Sequence, residues 1–151
     1  MEKDLEIIKV EKEEQIIKAA KYFSNKWGVP LEAYIDSMRE SFVSSPVPSW
    51  FYIEKEGQII GGIGIIENDF HERKDLTPNL CALYVKEEYQ GNGIGRKLLD
   101  YACNYLYNNG IETAYLITTH TEFYEKVGFS FFGEIKEDSG DLVRCYYKNS
   151  K

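Results

Sequence analysis

Long apolar runs are missing from this 151-residue chain, and no stretch approaches the roughly 18 consecutive apolar residues needed to span a bilayer. Nor does the opening Met1-Glu2-Lys3-Asp4 lead into an apolar secretory core, so a cytoplasmic protein with no membrane partner is expected. Cysteine is scarce: Cys81, Cys103 and Cys145 lie far apart, in no paired metal-ligand spacing. A disulfide framework is thereby excluded and no metal site is expected, with Cys81 and Cys103 read as packing residues of a reduced chain. Basic residues are outnumbered, 18 against 25 acidic ones, for a net charge of −7. Phosphate backbones select basic faces, so nucleic acid is not expected as a partner, whereas an acidic surface favours cationic small molecules such as amines. Proline- or glycine-rich linkers, repeats and low-complexity tracts are absent, and residues 1–151 are expected to form a single domain.

What the chain does have is 43% hydrophobic residues, enough for a sizeable core, arranged with changing periodicity. Alternation predicts a strand over Leu5–Val10. Ile16, Ile17, Ala20 and Phe23 then recur at helical spacing within Glu11–Lys26. Pro30 opens a second helix with Tyr34, Ile35, Met38 and Phe42 on its apolar face. Trp50–Glu54 and Ile59–Ile66 form a hairpin around Glu56-Gly57. Strands follow at Asn79–Val85 and Thr113–Thr118, joined by a helix carrying Ile94, Leu98, Leu99, Ala102, Cys103 and Leu106 on one face and stopped at Gly110. A short helix near Thr121–Val127 and strands at Ser130–Ile135 and Leu142–Tyr147 complete an α/β fold, a mixed sheet with helices on both faces.

Between the strand ending at Val85 and the helix that follows stands Gln90-Gly91-Asn92-Gly93-Ile94-Gly95-Arg96. Unpaired N–H groups at a helix start, backed by the positive end of its dipole, suit a phosphate or pyrophosphate. Side chains at 91, 93 or 95 would block phosphate oxygens or forbid the dihedrals that turn amides inward, and Arg96 adds a charge-assisted contact from the first turn. A Walker loop is excluded because Arg96-Lys97-Leu98 follows Gly95. The dinucleotide fingerprint fails where Arg96 stands in place of its third glycine.

The spacing Gln-x-x-Gly-x-Gly, with Leu83-Tyr84-Val85-Lys86-Glu87-Glu88-Tyr89 before it and Phe123-Tyr124-Glu125-Lys126-Val127-Gly128-Phe129 after it, resembles the GNAT superfamily of acetyl-CoA-dependent N-acetyltransferases. The resemblance runs from about Trp50 to Tyr147. It implies a GNAT-like, mostly antiparallel sheet whose two central parallel strands splay apart to admit the pantetheine arm of acetyl-CoA. On that reading the backbones of Leu83, Tyr84 and Val85 pair with the arm. Gln90, Gly91, Asn92, Gly93, Ile94, Gly95 and Arg96 hold the diphosphate, and Phe123 packs beside the cofactor. The family commonly places a tyrosine near the sulfur, and Tyr124 fills that position as general acid. Many members also carry an asparagine several residues earlier, where this chain has Ile117-Thr118-Thr119-His120-Thr121-Glu122; Thr119 or His120 is the candidate replacement.

For the base, Glu67 at the end of its strand is the first choice. Asp69, His71 and Asp75 crowd the next loop, and a water chain could serve instead. The acceptor site falls to the two N-terminal helices, the hairpin mouth and the loop 69–78, with Trp27, Tyr34, Met38, Phe42, Trp50 and Phe70 as walls. Residues 44–49 could cover it. The expected reaction is direct acetyl transfer to a primary amine of a small molecule. A protein or peptide amine, or a non-catalytic acyl-CoA-binding sensor, is the alternative. Exposed strand edges near the C-terminus offer a homodimer contact.

Overall fold

The computed structural model describes residues 5–150. Its elements run β1 (Ile7–Lys9), α1 (Glu13–Trp27), α2 (Leu31–Ser44), β2 (Ser49–Lys55), β3 (Gln58–Ile66), β4 (Asn79–Val85), α3 (Ile94–Asn108), β5 (Thr113–Thr118), α4 (Phe123–Lys126), β6 (Ser130–Lys136) and β7 (Leu142–Asn149). A 3-10 turn at Glu87–Tyr89, absent from the sequence reading, links β4 to the glycine turn. The seven strands form one sheet in the order β1-β2-β3-β4-β5-β7-β6, antiparallel at every seam except β4–β5.

The two faces of the sheet are filled by different helices. Alternation in β2 sends Phe51 and Ile53 toward α3, whose stripe Ile94, Leu98, Leu99, Ala102, Cys103 and Leu106 is buried against them. Trp50 and Tyr52 point the other way, into a second cluster with Ile16, Ala19, Ala20 and Phe23 of α1 and Tyr34 and Met38 of α2. Each fully buried Leu, Ile, Phe or Met among them contributes about 1.5–3 kcal/mol. Two expected apolar positions lie elsewhere: Ile17 and Phe42 face solvent, and Ala19 takes the buried place on α1 because the helix phase favours it.

Two glycines of β3 let the aromatic side chains lie directly on the sheet. A Cβ on Gly62 would come within 2.6 Å of the Phe23 ring, and one on Gly64 within 2.4 Å of the Trp50 indole. Phe23, Tyr34 and Trp50 then pack with ring centroids 5.0–5.7 Å apart. Trp50 Nε1 donates to Ser37 Oγ at 2.9 Å, tying the strand to α2.

Two departures from regular pairing open the centre of the sheet. In β4 the register against β3 jumps from Gly62↔Tyr84 to Gly64↔Cys81, a bulge that leaves Ala82 and Leu83 without register partners. Ala82 there has φ 57°, a left-handed conformation that costs an L-residue about 1–2 kcal/mol, and its carbonyl accepts from Trp27 Nε1 at 3.3 Å. Between the parallel strands the register holds one pair, Asn79↔Tyr115, beyond which β4 and β5 diverge. Their C-terminal halves line a cavity instead of a ladder.

Candidate functional site

The cavity between β4 and β5 has a volume of about 480 Å³. Leu80–Leu83 and Leu116–His120 form its flanks, Leu99 its floor from α3, and Tyr124 reaches it from α4. At its other end it meets the corner between α1 and α2 and the loop after β3, through Trp27, Tyr34, Trp50, Asp69 and Phe70. One continuous space therefore joins the parted strands to the helical corner.

Tyr124 is held by its neighbours, with ring centroids 5.0 Å from Phe123, 5.9 Å from Phe129 and 6.0 Å from Tyr146. Its hydroxyl bonds to no described residue, and burial pushes its pKa up to about 12. The phenol stays protonated at any physiological pH. Leu83, Thr119 and His120 share the same lining, and His120 N–H donates to Thr118 Oγ1 at 3.0 Å, which shapes the turn after β5.

The glycine turn sits outside this lining. Gly91 (φ 85°) and Gly93 (φ 80°) take left-handed conformations, and a Cβ at either would meet nothing within 4 Å. Gly93 is the residue before the first turn of α3, and no side chain caps that helix. The leading amides of α3 are thus left to an external acceptor, and the space above them is open, which suits a diphosphate. Phe123 closes one side: a Cβ on Gly95 would lie 3.5 Å from its ring. Arg96 is exposed near Asp100, at 3.7 Å, and lines a shallow groove with Gly93 and Lys97. Gln90 Nε2 donates to Val85 O at 2.7 Å and Asn92 Nδ2 to Tyr89 O at 3.3 Å, so both side chains brace the turn. Ile94 is buried in the core with its side chain away from the turn's open face.

Of the three β4 residues named from sequence, Leu83 lines the cavity. Tyr84 turns its ring to Tyr22, 5.5 Å away, and its carbonyl accepts from Tyr22 Oη at 2.9 Å. Val85 is core. Because a strand alternates, the ring of Tyr84 goes to the α1 face.

The carboxylate in the cavity is Asp69, and Glu67 is exposed and outside the lining. Asp69 bonds to no described residue; burial, then the Glu137 carboxylate, push its pKa up to about 6. Burial also raises the phenol of Tyr34, with Cys81 and Asp69 adding to the effect, so that hydroxyl too keeps its proton. The loop presenting Asp69 is pinned by buried His71, whose Nε2 lies 2.7 Å from Asn79 Oδ1. Asn79 Nδ2 donates to Glu67 O and Leu76 O at 3.0 and 2.8 Å, which turns its Oδ1 toward His71 and makes Nε2 the donor. Asp138 N donates to Phe70 O at 2.8 Å, fastening the loop to the β6–β7 turn. His71 is therefore a structural group, and Asp75 pairs with Arg73 at the surface.

Among the expected walls, Trp27, Tyr34, Trp50 and Phe70 line the cavity, Met38 is core, and Phe42 is exposed and outside it. Segment 44–49 lies on the α3 side, where Val47 packs into the core and Tyr105 Oη reaches Ser45 Oγ at 3.4 Å, so it does not cover the cavity. Sequence reasoning did not find Thr118, Ser37 or Val29 in the lining. Their positions depend on where the helical corner meets the parted strands, which no local spacing reports.

The sheet opens at its parallel seam, beside a helix whose N-terminus no side chain caps. Residues 47–131 match the model of the acetyltransferase (GNAT) domain, and the chain belongs to that family. Its fold is similar to that of a GNAT-family acetyltransferase from Staphylococcus aureus Mu50, at 22% identity over 97% of this chain and 100% of that one, with a TM-score of 0.64. It is also similar to aminoglycoside 6'-acetyltransferase type Ii, at 20% identity over 97% of each chain and a TM-score of 0.72. A third likeness is to an aminoglycoside 6'-N-acetyltransferase complexed with coenzyme A, at 18% identity over 95% of this chain and 97% of that one, TM-score 0.70. At such identities the likeness is one of fold. No helix among the described residues is long and apolar enough to cross a membrane.

Proposed function

We propose that this protein is an N-acetyltransferase that moves the acetyl group of acetyl-CoA directly to the amine of a small molecule. The observation that carries the reading is the single cavity, between the parted strands and the helical corner, lined by both Tyr124 and Asp69, whose hydroxyl and carboxylate have no described bonding partner. Acetyl-CoA supplies an acyl thioester when bound.

The residues divide the work by their surroundings. Amides 91–96 and Arg96 hold the diphosphate, Phe123 flanks it, and the backbone of Leu83, which has no register partner on β3, bonds to the extended arm. An amine enters as an ammonium and must lose a proton before it can attack. Asp69 attracts the cation and, with its pKa near 6, accepts that proton better than an ordinary carboxylate does. Asp69 thus takes the role first assigned to Glu67. Tyr124 keeps its proton until charge develops on the departing sulfur, and then donates to it. Dry surroundings that raise the phenol's pKa raise a thiolate's proton affinity in the same direction, so the two stay matched.

Thiol release from acetyl-CoA across a panel of amines, together with calorimetry of coenzyme A binding, tests the proposal. Amine-dependent release with coenzyme A bound supports it; absence of coenzyme A binding by folded protein sinks it.

A further inference from the structure

The chemistry of the acceptor end selects among amines. Its walls are the rings of Trp27, Tyr34, Trp50 and Phe70, with Val29 and Ile66 between them. Asp69 is the one carboxylate in the lining, which includes no lysine or arginine. Although the chain carries a net charge of −7, the acidic residues Glu32, Asp36 and Glu40 of α2 are exposed and outside the lining. Both indole N–H donors of the walls are engaged already: Trp50 Nε1 donates to Ser37 Oγ, and Trp27 Nε1 donates to the Ala82 carbonyl.

Resting on the transferase reading above, we infer that the acceptor is a monoamine with one cationic centre and an apolar, ring-sized body. Such a molecule sets its ammonium against Asp69 and lays its body on the aromatic faces, which attract the cation as well. A polyamine or aminoglycoside would bring further ammonium groups into a space with one counter-charge, and each unpaired charge there loses its hydration without return. A sugar's hydroxyls would find both indole N–H groups taken. An amino acid would place its carboxylate near Asp69 with no lysine or arginine to receive it. The volume of about 480 Å³ is shared with the thioester arm, which limits the body to about one ring.

The test compares four acceptors in thiol release from acetyl-CoA: 2-phenylethylamine, phenylalanine, spermidine and kanamycin. Phenylalanine keeps the ring and adds a carboxylate, so it isolates the charge requirement. Phenylethylamine is expected to exceed the other three in kcat/KM by roughly tenfold or more. Asp69→Asn should weaken its binding to the coenzyme A complex by roughly tenfold or more, with coenzyme A affinity unchanged. Trp27→Ala, at an exposed ring, should raise its KM. Equal or better turnover of spermidine, kanamycin or phenylalanine overturns this inference while leaving the transferase reading standing. Coenzyme A binding with no release from any of the four overturns this inference, and absence of coenzyme A binding overturns the transferase reading.

Discussion

Trp50 lies flat on its own cross-strand partner, Gly64, and the indole fills the volume in which a side chain at 64 would begin. That contact sets one wall of the cavity, because the same ring lines it and is fixed by Ser37. Gly64→Ala should therefore displace the indole and destabilise the protein by about 1–3 kcal/mol, the usual range for overpacking a core. A denaturant midpoint equal to wild type would show that the ring can move without loss.

Removing the Tyr124 hydroxyl leaves the ring packing with Phe123, Phe129 and Tyr146 intact. Tyr124→Phe is expected to lower kcat about 100-fold, within the range for loss of a general acid, while calorimetric affinity for coenzyme A stays as in wild type. Turnover at the wild-type level would remove Tyr124 from the acid role.

At Gly93, φ is 80° and the space above the amides is open. Gly93→Val should strain the turn and obstruct the approach to the first amides of α3. Loss of one hydrogen bond to a charged group, worth about 1.5–3 kcal/mol, corresponds to a 10- to 100-fold weaker coenzyme A affinity. Calorimetry on a variant that melts near the wild-type temperature checks this; an unchanged affinity would place the diphosphate elsewhere.

Asp69 links function to stability through pH. Burial, then Glu137, raise its folded pKa from the ordinary 3.8 to about 6, with the Tyr34 phenol and Cys81 thiol also beside it. The folded protein thus holds this proton more tightly than the unfolded chain, and stability is lost as pH rises through the window from about 4 to 6. Asp69→Asn, which cannot ionise, should be more stable than wild type above pH 6 by about 1–3 kcal/mol, with the difference vanishing below pH 4. Melting temperatures of both proteins across pH 3–8 provide the check, and parallel curves would contradict the raised pKa.

The same titration should appear in catalysis. Wild-type kcat/KM for the amine should fall as pH drops below about 6, where Asp69 becomes neutral and loses both its attraction for the ammonium and its ability to take a proton. Asp69→Glu should retain part of the activity and its pH dependence, and Asp69→Asn should lose that limb of the profile. A limb unchanged in Asp69→Asn would assign the proton to another group.

Much of the fold was legible because its signals are local. Asn79–Val85 and Thr113–Thr118 begin and end where alternation and apolar content place them, and α3 buries the six residues its spacing selects. The glycine turn was legible for the same reason, since φ values of 85° and 80° at 91 and 93 are a demand on those residues alone. The proposed acid–base pair was less so. Glu67 and Asp69 are two residues apart just beyond the end of a strand, where the period of two has lapsed, and nothing in the sequence says which of them turns inward.

The sequence by itself determined the strands, the helices, the turn with free amides and the family they compose, since each depends on propensity, periodicity or backbone freedom within a few residues. Tertiary structure alone decided that Asp69 faces the cavity, that Tyr84 turns to α1, and that Trp27, Tyr34, Trp50 and Phe70 gather at one end. Those outcomes come from segments far apart in the chain: a loop held by His71, Asn79 and the β6–β7 turn, and a helical corner laid on strands that part beyond a single register pair.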